Sequence, residues 1–442
     1  MIYFAALKGK LLQKFKHLFQ SSFTRNVFTV LGGSSFSTLL PIAISPLLAR
    51  LFSPAEGFAP FTFFMSTVYI IAAVANSHYT NAILVADDDE ESIAVFQLSS
   101  IINILIFTLL FILFLLVGET VMGYFNAPAT FLQLLMLIPI MVLSMGLYGN
   151  LLQWSFRQQQ FKRVAWSRMF QSFITAVVQI AFGYWIPNWN GLIIGFCVGQ
   201  LAALVVLVFL HWREGFWGWK WLDIKTLKRC AIKYESFLRF QTLADFINVI
   251  TQQMPTFLLG RFNFIQEVGW FGFANRIIVA PSSIITGALG DVFRQQAAVD
   301  YRLTGNALPI FKKTLRILLL VMVLPSLLVL FAGPVVFGWL FGSEWEMAGV
   351  YAQVLIIMLF PKFIVSPLSY MYIIARKQRE DFWLHVYILL STVASFYLGY
   401  KVWETAKGML LCFSVNYAMI YLLYFVRSFT FAKGKKSADA LS

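Results

Sequence analysis

Three ionisable side chains, Asp245, Arg276 and Lys362, lie inside stretches that are otherwise apolar over about twenty residues. An ionised group in hydrocarbon costs roughly 2.5–3.5 kcal/mol on insertion scales, so each must face a partner or a polar cavity. A guanidinium presents a planar fork of donors that suits phosphate oxygens, and an ammonium supplies charge without that geometry. Two cations against one anion leave a positive charge with no counter-ion in the membrane, which points to an anionic ligand. Counted along the helices, Asp245 and Lys362 lie at similar depth, roughly 10 Å from the cytoplasmic side, and Arg276 about 12 Å from the outer side. Asp245 therefore has two readings: a salt bridge with Lys362 that locks the C-terminal half, or an ion-coupling group.

Hydrogen-bonding groups of the kind that sugars require accompany these charges. Asn248, Gln252 and Gln253 precede Pro255, and Asn150 lies between Tyr148 and Gln153; polar residues in spans equally serve as contacts between helices. Arg50 and Arg261, at the ends of two apolar stretches, add positive charge that could meet the same ligand. The run Asp87-Asp88-Asp89-Glu90-Glu91 resembles the carboxylate pairs that hold a divalent metal in sugar-nucleotide enzymes, but no nucleotide-binding domain surrounds it, and a solvated turn is the reading preferred. His78 could relay a proton or simply pack at an interface. No nucleophile constellation and no Gly-rich phosphate loop occurs, so an enzyme is not expected and no cofactor is implied.

These residues must be positioned by membrane-spanning helices. The chain of 442 residues is 59% hydrophobic and 12% charged, far from the roughly 25% charged residues of soluble domains, and its mean hydropathy is +0.75. Twelve spans are expected at 27–49, 59–83, 97–118, 130–153, 165–186, 191–210, 238–260, 268–290, 316–338, 348–372, 382–401 and 407–427. With both termini cytoplasmic, about 28 of the 34 Lys and Arg residues fall on the inner side and about four on the outer. The net charge of +14 thus reflects topology rather than nucleic-acid binding.

The expected organisation is a basic amphipathic N-terminal segment (1–26), a six-helix bundle (27–210), a basic cytoplasmic linker (211–237), a second six-helix bundle (238–427) and a basic tail (428–442). Within the first segment, Leu7, Leu11, Phe15 and Leu18 share one helical face over residues 7–19, as in an interfacial helix. The halves are similar: Arg50 and Glu56 recur as Arg261 and Glu267 at one offset of 211 residues, followed by Gly57 and Gly269 one register apart. Even-numbered repeats are parallel and can rock about a central cavity.

The stretches SPLLARLFSPAEGF (45–58), LRFQTLADFINVITQQMP through EVGWFGFANRIIVAPSSIITGALGDVFRQQA (238–297) and SPLSYMYIIARKQRED (366–381) resemble the Wzx-type polysaccharide-unit flippases. These form a branch of the multidrug/oligosaccharidyl-lipid/polysaccharide exporter superfamily. The resemblance implies an all-α integral membrane protein of about twelve helices in two six-helix lobes around a cationic central cavity, in the bacterial inner membrane. It implies movement of undecaprenyl-diphosphate-linked oligosaccharide from the cytoplasmic to the periplasmic leaflet for surface polysaccharide synthesis. The partners expected are that lipid-linked substrate, membrane lipids, proton or sodium as coupling ion, and polymerase and chain-length proteins. One departure is His78-Tyr79-Thr80, where the family often carries an Arg-Tyr-Glu-like triplet. Two other readings stand beside this one. A multidrug cation antiporter of the same superfamily should have an acidic cavity, and a major-facilitator sugar symporter should have a basic, Gly-rich loop where this chain is acidic.

Overall fold

A computed structural model describes residues 35–75, 79–124, 134–185, 190–213, 224–235 and 242–434. Every regular element among them is helical, as hydrocarbon demands of a chain that must satisfy its backbone groups within each segment. The first helix comprises residues 35–43 and, past a turn at Ile44, α1 (Ser45–Leu51). A π-helical turn, Pro54–Phe58, leads into α2 (Ala59–Ala75), followed by α3 (Tyr79–Val85). Next come α4 (Asp89–Tyr124), α5 (Leu137–Arg157), α6 (Phe161–Trp185) and α7 (Gly191–Trp212). The short helix α8 (Ile224–Lys233) lies between the halves in sequence. The second half contains α9 (Thr242–Arg261), α10 (Ile265–Thr304), α11 (Leu308–Phe341) and α12 (Glu346–Leu368). It ends with α13 (Met371–Ile374), α14 (Gln378–Trp403) and α15 (Ala406–Lys433).

Local chemistry sets several ends. The side chains of Asn190 and Thr405 accept from the backbone N–H of Ile193 and Gly408, capping α7 and α15. Gly305, at φ +66°, takes the left-handed conformation that stops α10. At 40 residues, α10 is about 60 Å long, twice the hydrocarbon thickness, so it projects beyond the membrane.

Nine helices among the described residues are long and apolar enough to cross a membrane. Helices α6 and α9 also have the length, at 25 and 20 residues, but carry polar residues along one face. That face lines a cavity. Apolar side chains such as Leu320, Leu324, Phe331 and Val335 of α11 are exposed, as expected of a surface covered by lipid tails. The chain is thus a multi-pass, all-α membrane protein built as two helical lobes around a central cavity.

Within the first half, α6 packs on α7 and α4 on α5; within the second, α12 packs against α10, α11 and α15. The halves meet where α1, the π-helical turn and α2 touch α9, α10 and α11. At the end where α1 passes into α2 and α9 into α10, one hydrophobic core runs through both halves. Phe58, Phe273 and Trp345 form its centre: ring centroids of Phe58 lie 5.0 Å from Phe273 and 4.9 Å from Trp345. Trp345 Nε1 also donates to the Ala49 carbonyl at 2.9 Å. Near the opposite end each half has its own core, around Ile83, Leu151 and Cys230 in the first and around Phe293, Phe311 and Leu368 in the second. The bundle is therefore sealed at one end, and its halves are separately packed at the other.

Several expectations change. Helix α4 extends well past the expected 97–118 on both sides, and the 211–237 segment contains α8 rather than linker alone. The expected interfacial helix at residues 7–19 and His78 lie outside the described residues.

Candidate functional site

A cavity of about 460 Å³ lies between the halves. Its polar lining comes from helical stripes at three- and four-residue spacing: Thr62, Ser66 and Tyr69 on α2, Arg168, Gln171, Thr175 and Gln179 on α6, and Gln252, Gln253 and Thr256 on α9. Asn275 and Arg276 of α10 complete it, and among the described residues no Asp or Glu lines it. Glycines bring α10 close enough to place Arg276. A Cβ on Gly272 would lie 2.1 Å from Thr62 Oγ1, and one on Gly269 only 2.0 Å from the Pro54 carbonyl oxygen, so only glycine fits at either contact.

The Arg276 guanidinium lies 5.6 Å from the Phe61 ring centroid. Among the described residues it makes neither a hydrogen bond nor an ion pair. A cation–π contact offsets only part of its desolvation, so its donors remain available to an anion. Other lining groups are already engaged. Ser66 Oγ donates to Gln253 Oε1 at 2.9 Å and contacts Thr256 Oγ1 at 3.1 Å, joining the halves. Gln179 Nε2 donates to the Leu192 carbonyl at 2.9 Å. Asn275, by contrast, has no hydrogen bond among the described residues.

Lys362 is in a different place from Arg276. It lines a second cavity of about 600 Å³ within the C-terminal half, with Asn248, and Gln252 lines both cavities. The expected pairing of Lys362 with Asp245 does not occur: Asp245 is exposed in the first turn of α9 and lines neither cavity. Similar depth along two helices leaves their side chains free to point to different sides, and here they do.

Arg50, Arg261 and Asn150 also lie outside both cavities. Arg50 is exposed in the last turn of α1, and Arg261 ends α9 with its guanidinium 4.8 Å from the Tyr124 ring centroid. Asn150 is fully buried in the N-terminal half, where Oδ1 accepts from Thr80 at 2.8 Å and Ser99 at 2.9 Å and Nδ2 donates to Ser100. It is a contact between helices, the other role open to a polar residue in a span. Arg168, Asn275 and Tyr69 were not singled out from the sequence. The spacing of Arg168, Gln171, Ser172, Thr175 and Gln179 was the available signal, since it marks one face of a single helix.

The acidic run is not a freely solvated turn, because it holds α8. Lys233 Nζ donates to Asp87 Oδ2 and to Glu91 at 2.7 Å, and the Tyr234 hydroxyl donates to Glu91 Oε2 at 3.0 Å. The Tyr79 hydroxyl donates to the Ala231 carbonyl, and Cys230 is fully buried beneath the helix. Arg157 Nε bonds Asp89 Oδ1 at 3.0 Å on the same side. The hydrogen bond and charge of Lys233 hold the Asp87 carboxyl below its ordinary range and raise the Lys233 ammonium. A lowered carboxylate pKa means that the contribution is present at neutral pH and lost as pH falls through the lowered value. Lys233→Glu should therefore undock α8 and expose Cys230 to a maleimide at neutral pH, and acidification through the lowered Asp87 value should undock it in the parent protein, read as faster amide hydrogen exchange in α8. Equal labelling of Lys233→Glu and parent protein would mean that apolar packing alone holds the helix.

Two helical lobes thus meet around a cavity to which both contribute. Residues 23–293 match the family described as polysaccharide biosynthesis protein, more than half of the chain, and the chain belongs to that family. No curated protein matches its sequence. Among solved structures it is similar to the lipid II flippase MurJ in an inward closed conformation, with TM-score 0.67, 16% identity, and coverage of 93% of this chain and 89% of that one. It is also similar to the MATE multidrug transporter DinF-BH, with TM-score 0.64, 13% identity, and coverage of 91% and 95%. An inward-facing multidrug resistance MATE family transporter of the MOP superfamily matches at TM-score 0.62 and 13% identity, with coverage of 91% and 93%. At these identities the likeness is one of fold.

Proposed function

We propose that the protein is a flippase that moves undecaprenyl-diphosphate-linked oligosaccharide from the cytoplasmic to the periplasmic leaflet of a bacterial inner membrane, for surface polysaccharide synthesis such as O-antigen, capsule or exopolysaccharide. The observation that carries this reading is Arg276: a cation without an ionic partner among the described residues, facing a cavity that no carboxylate lines. A diphosphate cannot cross hydrocarbon unaided, and a guanidinium facing a cavity offers charge-assisted, bidentate bonds to its oxygens. The polyprenyl tail can remain in lipid while the head group passes. A cationic drug would find no counter-charge in this cavity, which disfavours the antiporter reading.

In this proposal the sealed end is periplasmic, both termini are cytoplasmic, and the site opens alternately to each side as the lobes rock. Proton or sodium is the coupling ion in this reading, with Asp245, exposed in the first turn of α9 and outside both cavities, as the candidate group. Reporter fusions after residues 90, 225, 305 and 378 should read cytoplasmic, and fusions after 55, 125, 265 and 342 periplasmic. Reversal at two or more sites would overturn the orientation. The function itself is tested in a strain lacking the protein, in which lipid-linked repeat units should accumulate on the inner leaflet while surface glycan is lost. Normal export of those units would refute the proposal.

A further inference from the structure

The second cavity has a charge arrangement for which binding a diphosphate at Arg276 has no use. Lys362 lines it, and among the described residues the ammonium makes no hydrogen bond and no ion pair. Two carboxylates line the same cavity, and both are engaged elsewhere. Asp381 Oδ1 accepts from the Tyr424 hydroxyl at 3.0 Å and lies 3.8 Å from His385 Nδ1; Asp291 lies 3.5 Å from Arg294. Neither carboxylate pairs with Lys362, so among the described residues its ammonium has no ionic partner and is open to a ligand.

The remaining lining suits a sugar. Asn248 and Ser366 offer hydrogen-bonding groups, and Tyr421 lines the cavity with its ring packed 5.9 Å from that of the buried Tyr424 between centroids. The volume of about 600 Å³ falls in the range of about 300–1,000 Å³ typical of ligand pockets. Position also matters. Arg276 is 11 residues along α10 from Ile265 and Lys362 is 16 residues along α12 from Glu346, both counted from the sealed end. These counts place the two cations at depths of about 16 and 24 Å. In a lipid-linked oligosaccharide the sugars follow directly on the diphosphate, so a chain anchored at Arg276 would pass Gln252 into the second cavity.

We propose that this cavity holds the saccharide part of the substrate and that Lys362 pairs with a carboxylate on one of its sugars, which suits the protein to an acidic oligosaccharide. The inference rests on the lipid-linked oligosaccharide reading above. A neutral glycan would leave the ammonium desolvated and unpaired, and a site that loses such a bond discriminates strongly against the ligand that lacks it.

Binding to the purified full-length protein tests the inference with three saccharide probes: digalacturonate, its methyl ester and digalactose. Digalacturonate should bind about tenfold or more tightly than digalactose, as expected for a charge-assisted bond. The methyl ester, which keeps the shape and removes the charge, should bind like digalactose. Lys362→Met should abolish the preference and Lys362→Arg should retain most of it. Digalacturonate binding no tighter than its ester, or a preference that survives in folded Lys362→Met, would overturn the proposal. Farnesyl diphosphate is the separate probe of the parent reading: if the unmodified protein fails to bind it, the diphosphate reading itself fails.

Discussion

Arg276→Ala should abolish export of lipid-linked glycan while the protein remains inserted at its normal level. Removing one partner of a desolvated, hydrogen-bonded charge pair typically costs about 2–5 kcal/mol, so diphosphate affinity should fall by about 30-fold or more. Arg276→Lys should restore function only in part, because an ammonium in the same place keeps the charge and loses the planar fork. If Arg276 serves only to pack on Phe61, any long side chain should suffice, and lost function should follow lost protein. Measuring surface glycan together with membrane-inserted protein separates the two accounts. Normal glycan from well-inserted Arg276→Ala would remove this residue from the substrate path.

Trp345→Ala should open the sealed end. Trp345 is buried, packs edge-on against Phe58 and tilted against Phe273, and donates to the Ala49 carbonyl across the two halves. Truncating a buried Trp to Ala costs about 3–5 kcal/mol in a well-packed core. The contacts with Phe58 and Ala49 cross between the halves, whereas Phe273 lies in the same half as Trp345, so only part of that cost falls on the sealed arrangement, and its population relative to a state open at that end should fall by about tenfold or more. Met65 lines the cavity beneath the seal. A Met65→Cys reporter, with Cys197, Cys230 and Cys412 replaced, should react with an impermeant maleimide from the sealed side far faster once Trp345 is alanine. Unchanged labelling would show that close approach of α10 at Gly269 and Gly272 is enough to hold the end shut. Transport should fail with the seal broken, because alternating access needs each side to close in turn.

The course of the helices was legible in the sequence because the bilayer imposes a strict rule. Apolar runs of about twenty residues must become helices, and the distribution of Lys and Arg separates the loops. The family resemblance at residues 45–58, 238–297 and 366–381 pointed to the same two-lobed architecture that the structure has. Depth along each helix was also legible, since it follows from 1.5 Å per residue, and it drew attention to Arg276 and Lys362, which line the two cavities.

The direction in which each side chain points around its helix was not legible, and direction decides what a charge meets. Asp245 and Lys362 share a depth and yet face different surroundings; Asn150, which resembled Gln252 in sequence, turns into its own half to bond Thr80, Ser99 and Ser100. Arg168 looked like one more inner-side charge until packing brought its helical stripe to the cavity. The acidic run at Asp87–Glu91 read as solvated because its partner, Lys233, is more than 140 residues away in the chain. Composition and spacing therefore determined that this is a helical membrane protein with charges placed within its spans. Which charges are paired, which are left free, and which cavity each one enters depended on the packing of helices remote in sequence, because burial and partner together set the cost of a charge.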